Sequence, residues 1–367
     1  MKRFMPYFTL LFVVLTSTVI LWLPFLMRTN GSSMLDIYKQ YDGPLYIIPA
    51  KTFYNPQLIE SINRDSSLPQ SPLYFAAHLP LYPILIAIFA PIIGYLKSMI
   101  FVNVLCTVLL SWVFYFTVKK LHISKNPLLL STILLFLPRL LVVRTTGAPE
   151  SLFLICIVAS LYFFETERYF YAGLLGALSV LTKLPGILLF GAYGLVFAEK
   201  YIQTKKIKQG WWWIFLIPLA LFGVFSIYQI QYGDFYAFFH TGGTVPTPYP
   251  FSVFNTEAKW VGTAWLEDVL FYFFLYGIAV YQLKNSRHRS FYYFTLVFLL
   301  ASTCIQHRDI SRYTLPLWPM TLIVFESFFT SKRFVVVGLI LLIAIYLYAW
   351  NFLNFNVMPI NEWLPFL

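Results

Sequence analysis

The chain is written as apolar runs separated by short clusters of Lys and Arg, and that rhythm limits what it can fold into. Runs over residues 8–27, 100–118, 127–143, 151–164, 170–182, 187–199, 211–231, 264–283, 291–306, 314–330 and 334–350 approach the roughly 20 apolar residues that a helix needs to cross a bilayer. Composition agrees. Hydrophobic residues make up 59% of the chain and charged ones 11%, with mean hydropathy +0.71; a soluble domain carries about 25% charged residues. These features predict an all-α polytopic membrane protein, a single transmembrane domain over residues 1–367.

The formal charge of +11 invites a nucleic-acid partner, but the basic residues sit in short clusters between apolar runs, as loop charges of membrane proteins do. The bilayer is the expected partner and nucleic acid is not. Cys106, Cys156 and Cys304 lie in apolar runs with no metal-like spacing, and read as core residues. The first run follows Met1-Lys2-Arg3 like a signal peptide, yet it is long and no small-residue cleavage site follows it. It reads as an uncleaved first helix. The short runs 170–182 and 187–199 flank Lys183-Leu184-Pro185-Gly186. They are either two half-length helices meeting at a membrane surface or one helix kinked at Pro185.

Residues 28–97 read as an external loop with interfacial helices, too long for a connector. Within it, residues 36–50 (DIYKQYDGPLYIIPA) set an acidic turn beside a membrane segment. On local chemistry, Asp42 before Gly43-Pro44 is a helix cap and turn signal. Residues 78–97, interrupted by Pro80, Pro83 and Pro91, either cross the membrane or lie in its interface. Charge decides between them. If they do not cross, every basic cluster from Lys119-Lys120 to Lys332-Arg333 shares the side of Lys2-Arg3, giving about eleven spans with the N-terminus inside and the C-terminus outside. Asp42, Lys51, His78, Arg144, Glu150, Lys183, Asp234, His240, His307, Arg308, Asp309 and Arg312 then collect on the external face. Ionisable groups at membrane depth are costly and mark a functional site by default. A lone Lys or Arg snorkelling to the headgroups is the ordinary alternative.

The order of short motifs on that face resembles the GT-C superfamily of membrane glycosyltransferases, and within it the PIG-V-like branch of GPI mannosyltransferase II relatives. Tyr41-Asp42-Gly43 with Tyr46 is similar to the family's Trp-Asp-Gly-x-x-Tyr, and His78-Leu79-Pro80-Leu81-Tyr82-Pro83 to its Phe-Phe-Pro-Leu-Tyr-Pro. Gly147-Ala148-Pro149-Glu150-Ser151-Leu152-Phe153 resembles the Ser-x-Glu-Ser-Leu-Phe box, and the likeness runs on through Leu181-Thr182-Lys183. Tyr232-Gly233-Asp234 is a weaker match, and Arg312-Tyr313-Thr314-Leu315-Pro316 resembles the Arg-Tyr-x-Leu-Pro of many GT-C enzymes. Tyr41 stands where the family has Trp, His78-Leu79 where it has an aromatic pair, and Lys183 where the branch has Arg. These departures bear on sugar and acceptor rather than on the superfamily.

The resemblance implies a GT-C helix bundle that takes a sugar, mannose by family weight, from a polyprenyl (dolichyl-type) phosphate donor. It passes the sugar, with inversion, to an external hydroxyl on a glycolipid or glycan. The absence of a Gly-rich phosphate loop after a strand fits a donor that is already activated. Such transfer needs a base for the acceptor hydroxyl, which a carboxylate supplies, and cations for the departing phosphate. Asp42 is the expected base. Lys51, Arg144, Lys183, His307, Arg308 and Arg312 are the expected donor contacts, with Arg suited to bidentate phosphate recognition. Glu150 either orients the site, helps hold a divalent metal, or is simply the acidic first turn after Pro149. No other cofactor is expected, and no metal ligands are assigned. A transporter or flippase of polyprenyl-linked glycans is the alternative, since broken helices and buried basic residues suit it too. The expected location is a prokaryotic plasma membrane, or the ER membrane in a eukaryote, with the site on the external face.

Overall fold

The computed structural model describes residues 4–27, 34–40, 42–66, 68–241, 245–255, 266–307, 309–358, 360 and 362–367. Among the described residues regular structure is helical throughout, with one isolated bridge between Gln40 and Val357. Four helices of the described residues are long and apolar enough to cross a bilayer: Met5–Leu26, Tyr95–Lys120, Gln209–Tyr232 and Lys332–Phe355. Shorter apolar helices pack between them, and the chain is an integral membrane protein. Polar side chains inside the bundle turn back on their own helices. Thr321 Oγ1 donates to the Leu317 carbonyl at 2.9 Å and Thr295 Oγ1 to that of Phe291 at 2.6 Å, which removes their need for an outside partner.

Proline divides the shorter spans. The run 127–143 forms two helices, Pro127–Leu135 and Pro138–Val143, because Pro138 supplies no N–H to the preceding turn. The helix Tyr169–Thr182 ends where Lys183 turns extended (φ −149°, ψ 137°). A 3₁₀ turn, Leu184–Ile187, leads into Leu188–Thr204. At Gly186 a Cβ would sit 2.5 Å from Ser179 Oγ and from the Val180 nitrogen, so only glycine lets the turn fold back on the helix it leaves. The two helices pack on different partners: the first on Glu150–Glu165 and Leu216–Tyr232, the second on Arg289–Thr303. They are separate helices, which removes the kinked-helix alternative.

The first loop is helical. Gly43–Thr52 and Pro56–Ser66 lead to a 3₁₀ turn, Pro72–Ala77, and then to Leu81–Ile93. The 13-residue Leu81–Ile93 helix packs against Gly43–Thr52 and Tyr95–Lys120. The last helix returns the chain to this loop. Met358 donates its N–H to the Lys39 carbonyl at 2.6 Å, and Phe366 is fully buried there. One apolar cluster therefore joins Leu21, Leu45, Ile47, Tyr82, Met99, Leu152 and Leu353, and the site is built along its edge.

Candidate active site

Asp42 occupies the N-cap position of the helix Gly43–Thr52, yet its side chain makes no capping hydrogen bond. Its carboxylate pairs instead with Nη1 of Arg312, 270 residues away in the chain. Backbone contact puts it there. A Cβ on Gly147 would lie 2.8 Å from Gly43 Cα and 2.3 Å from Met99 Sδ. With no side chain on either glycine, the turn before Glu150 rests on the turn after Asp42. Two helix starts thus lie side by side, each opening on an acid.

Glu150 is the first residue of the helix Glu150–Glu165, and its side chain is 3% exposed. Its Oε1 accepts from Lys183 Nζ at 2.8 Å and from Arg312 Nε at 2.7 Å. Its Oε2 is buried and accepts nothing from the described residues. Arg312 therefore bridges the two acids, and Asp42, Glu150, Lys183 and Arg312 form one charge-balanced network. Lys183 reaches it because the helix breaks there; a continuing helix would carry that side chain onward around its surface.

Arg312 is presented by a single turn, Ile310–Tyr313, whose own support is polar. The Arg312 N–H donates to the Asp309 carbonyl at 3.0 Å. The Asp309 carboxylate pairs with Arg139, whose guanidinium stacks over Phe352 at 4.2 Å. His307 Nδ1 accepts from the Asp309 N–H at 3.0 Å, and its ring meets that of Tyr313 at 4.9 Å.

Burial disfavours charge on Asp42, but Arg312, by attraction and hydrogen bond, outweighs it and holds the carboxyl below its ordinary value. The same contest keeps Arg312 charged: burial works against it and the two acids prevail. His78, buried beside Tyr46, is pushed down to about 4 by burial. At neutral pH the site thus holds two carboxylates, two cations and a neutral imidazole.

Four of the residues expected from sequence meet here: Asp42, Glu150, Lys183 and Arg312. Two expected phosphate contacts are placed elsewhere. Arg144 is fully buried and gives its donors to the Leu135 carbonyl, Thr18 Oγ1 and Ser17 Oγ. It ties the Pro138–Val143 helix to the first helix. Lys51 Nζ donates to main-chain oxygens of Pro365 and Leu367 at 2.7 and 3.0 Å and lies over the Tyr95 ring. It pins the C-terminal segment to the first loop. His307 shapes the turn that carries Arg312. Arg308 and Tyr41 lie outside the described residues. Asp234 and His240 pair with one another at 2.6 Å rather than with the network. No group of three His, Cys, Asp or Glu gathers among the described residues, and Glu150 Oε1 accepts from two cationic side chains.

Sequence reasoning passed over Arg139, an unremarkable Arg after Pro138, and left His78 in the external set, as readily an interfacial hydrogen-bonder as an acid–base group. Its place in a motif with two prolines was the available signal.

No protein-family model matches the chain, and no curated protein does. Among solved structures the chain is similar to ArnT from Cupriavidus metallidurans bound to undecaprenyl phosphate. The TM-score is 0.57 at 13% identity, over 89% of this chain and 61% of that one. The chain thus spans about three-fifths of that protein's length. The shared architecture is a GT-C type transmembrane helix bundle.

Proposed function

We propose that the chain is an inverting glycosyltransferase that moves a sugar from a polyprenyl-phosphate donor to a hydroxyl acceptor. One observation carries the reading. Motifs scattered from Asp42 to Arg312 assemble into a single partly buried acid–base network, in a fold with a solved neighbour captured with undecaprenyl phosphate.

In this reading Asp42 takes the proton from the acceptor hydroxyl. The acceptor oxygen forms the new bond to the anomeric carbon from the face opposite the phosphate. The bond from that carbon to the phosphate oxygen breaks, and the lipid phosphate leaves with the electron pair. Arg312 and Lys183 meet the charge that grows on it, where water is scarce and such contacts are strong. Glu150 holds both cations in place. Since Arg312 also pairs with Asp42, the arriving phosphate competes for that guanidinium and frees the base. Mannose is the sugar the motif resemblance favours, within a PIG-V-like branch, and a glycolipid or cell-envelope glycan is the acceptor. No step is routed through a metal.

The site faces the outside of a prokaryotic plasma membrane, or the ER lumen in a eukaryote. The helix Leu81–Ile93 lies in the interface, which leaves about eleven spans and gathers the basic clusters on the inner side. Single cysteines at the exposed positions Ser61 and Lys97 are then labelled from the same, external side; labelling from opposite sides would make this segment a span and overturn both the span count and the assigned site. Transfer of radiolabelled sugar from a polyprenyl-phosphate donor by the purified chain tests the activity itself. Lipid translocation without transfer would point to a flippase.

A further inference from the structure

Two buried polar atoms at the network have no partner among the described residues, Oε2 of Glu150 and Nδ1 of His78. Glu150 shares the Arg312 guanidinium with Asp42, and the His78 ring meets Tyr46 on the helix that Asp42 opens. A buried polar group left unpaired destabilises the fold, and native proteins show few of them.

His78 is held as if for a purpose. Its carbonyl accepts from Tyr54 Oη at 2.5 Å and its N–H donates to the Phe75 carbonyl at 3.0 Å. Its ring meets Tyr46 edge-on at 4.7 Å, with Tyr74 at 5.6 Å. Tyr46 lies one helical turn beyond Asp42 on the same helix. Backbone and ring are therefore fixed, while a ring nitrogen stays free.

The chemistry of the two atoms selects a ligand. A carboxylate oxygen only accepts, and a neutral imidazole both donates and accepts. A phosphate dianion would be repelled by Glu150 and has no proton to offer it. A hydroxyl gives a proton to one group and accepts from the other.

We propose that His78 and Glu150 Oε2 form a hydroxyl-binding subsite for a sugar ring, separate from the cations that meet the phosphate. The subsite rests on the glycosyltransferase reading above and adds to it a division of labour. Lys183 and Arg312 recognise what every polyprenyl phosphate shares. His78 and Glu150 Oε2 recognise the sugar.

The test compares two lipids on the purified full chain: sugar-free polyprenyl phosphate and polyprenyl-phosphate mannose. His78→Phe keeps an aromatic ring among Tyr46 and Tyr74 but removes both nitrogens. It should bind the sugar-free lipid like the wild type and the mannose lipid roughly tenfold more weakly, the scale of one lost hydrogen bond in a buried site. His78→Gln, which keeps a donor and an acceptor, should recover part of the loss and guards against a variant that fails to fold. If the loss falls instead on KM for a mannoside acceptor, with both lipids bound normally, the subsite stands and holds the acceptor's sugar. Equal weakening of both lipids, or no change in any of the three, overturns it. A wild-type chain that binds neither lipid would sink the glycosyltransferase reading, and this subsite with it.

Discussion

The helix Glu150–Glu165 carries an acid at each end, and the two ends treat them differently. At its C-terminal end Glu165 has both oxygens occupied: Oε2 faces His288 Nδ1 at 3.0 Å, and Oε1 accepts from the Ser290 N–H at 2.9 Å and its hydroxyl at 2.6 Å. Two residues on, Glu167 is 51% exposed and pairs with Lys200 and Lys208 at the surface. At the N-terminal end Glu150 puts two cations on one buried oxygen and leaves the other empty. Charge at the first end is spread over several partners and satisfied, as a structure needs. Charge at the second is concentrated and incompletely satisfied, which stability alone would not select.

Breaking the concentrated end should cost most. Asp42→Asn keeps size and capping ability but removes the base, so transfer should slow by roughly 10²–10⁴-fold while donor binding survives. Near-wild-type transfer would return Asp42 to a capping role, in which Asn serves as well. The acid limb of kcat/KM sharpens this point. The folded carboxyl is held below its ordinary 3.8, so the base stays ionised, and its stabilising pair intact, as pH falls to that value. Both are lost only as pH drops through the lower folded value.

Next comes Glu150→Ala, which strands Lys183 and Arg312 without their shared acid. Breaking a buried pair costs on the order of 3–5 kcal/mol, visible as a lower unfolding temperature in detergent. Lys183→Ala should raise the donor requirement by about 1.5–3 kcal/mol, the worth of a charged contact, and unchanged donor kinetics would leave Lys183 only a structural partner of Glu150. The smallest effect belongs to the other end of the helix. Glu167→Gln removes solvent-screened pairs and should change stability by well under about 1 kcal/mol. A Glu167 effect as large as that of Glu150 would erase the contrast.

Much of this was readable from the chain alone. Apolar runs report helices because their signal is local: each residue's fit to lipid depends on its own side chain. The break at Lys183-Leu184-Pro185-Gly186 is legible for the same reason, since a missing N–H or a missing Cβ acts on the adjacent turn; the run 127–143 read as one segment, and its split at Pro138 came from the structure. Asp42, Glu150, Lys183 and Arg312 stood out as ionisable groups at helix ends, and the order of their motifs pointed to a GT-C bundle.

What the chain could not reveal is which charge answers which. Arg144 and Arg312 look alike in sequence, each beside an apolar run. Tertiary packing gives one to Ser17 and Thr18 and the other to Asp42 and Glu150. Lys51 looked like a phosphate ligand until the last residues of the chain folded onto it. Asp42 carries the signal of a helix cap, and only the Gly43–Gly147 contact shows why its carboxylate turns away from its own helix to Arg312. Sequence determined the helices and the short list of charged groups, because those follow from local chemistry. The tertiary structure decided their pairing, because hydrogen bonds between groups 33 and 162 residues apart depend on where the bundle brings distant helix ends together.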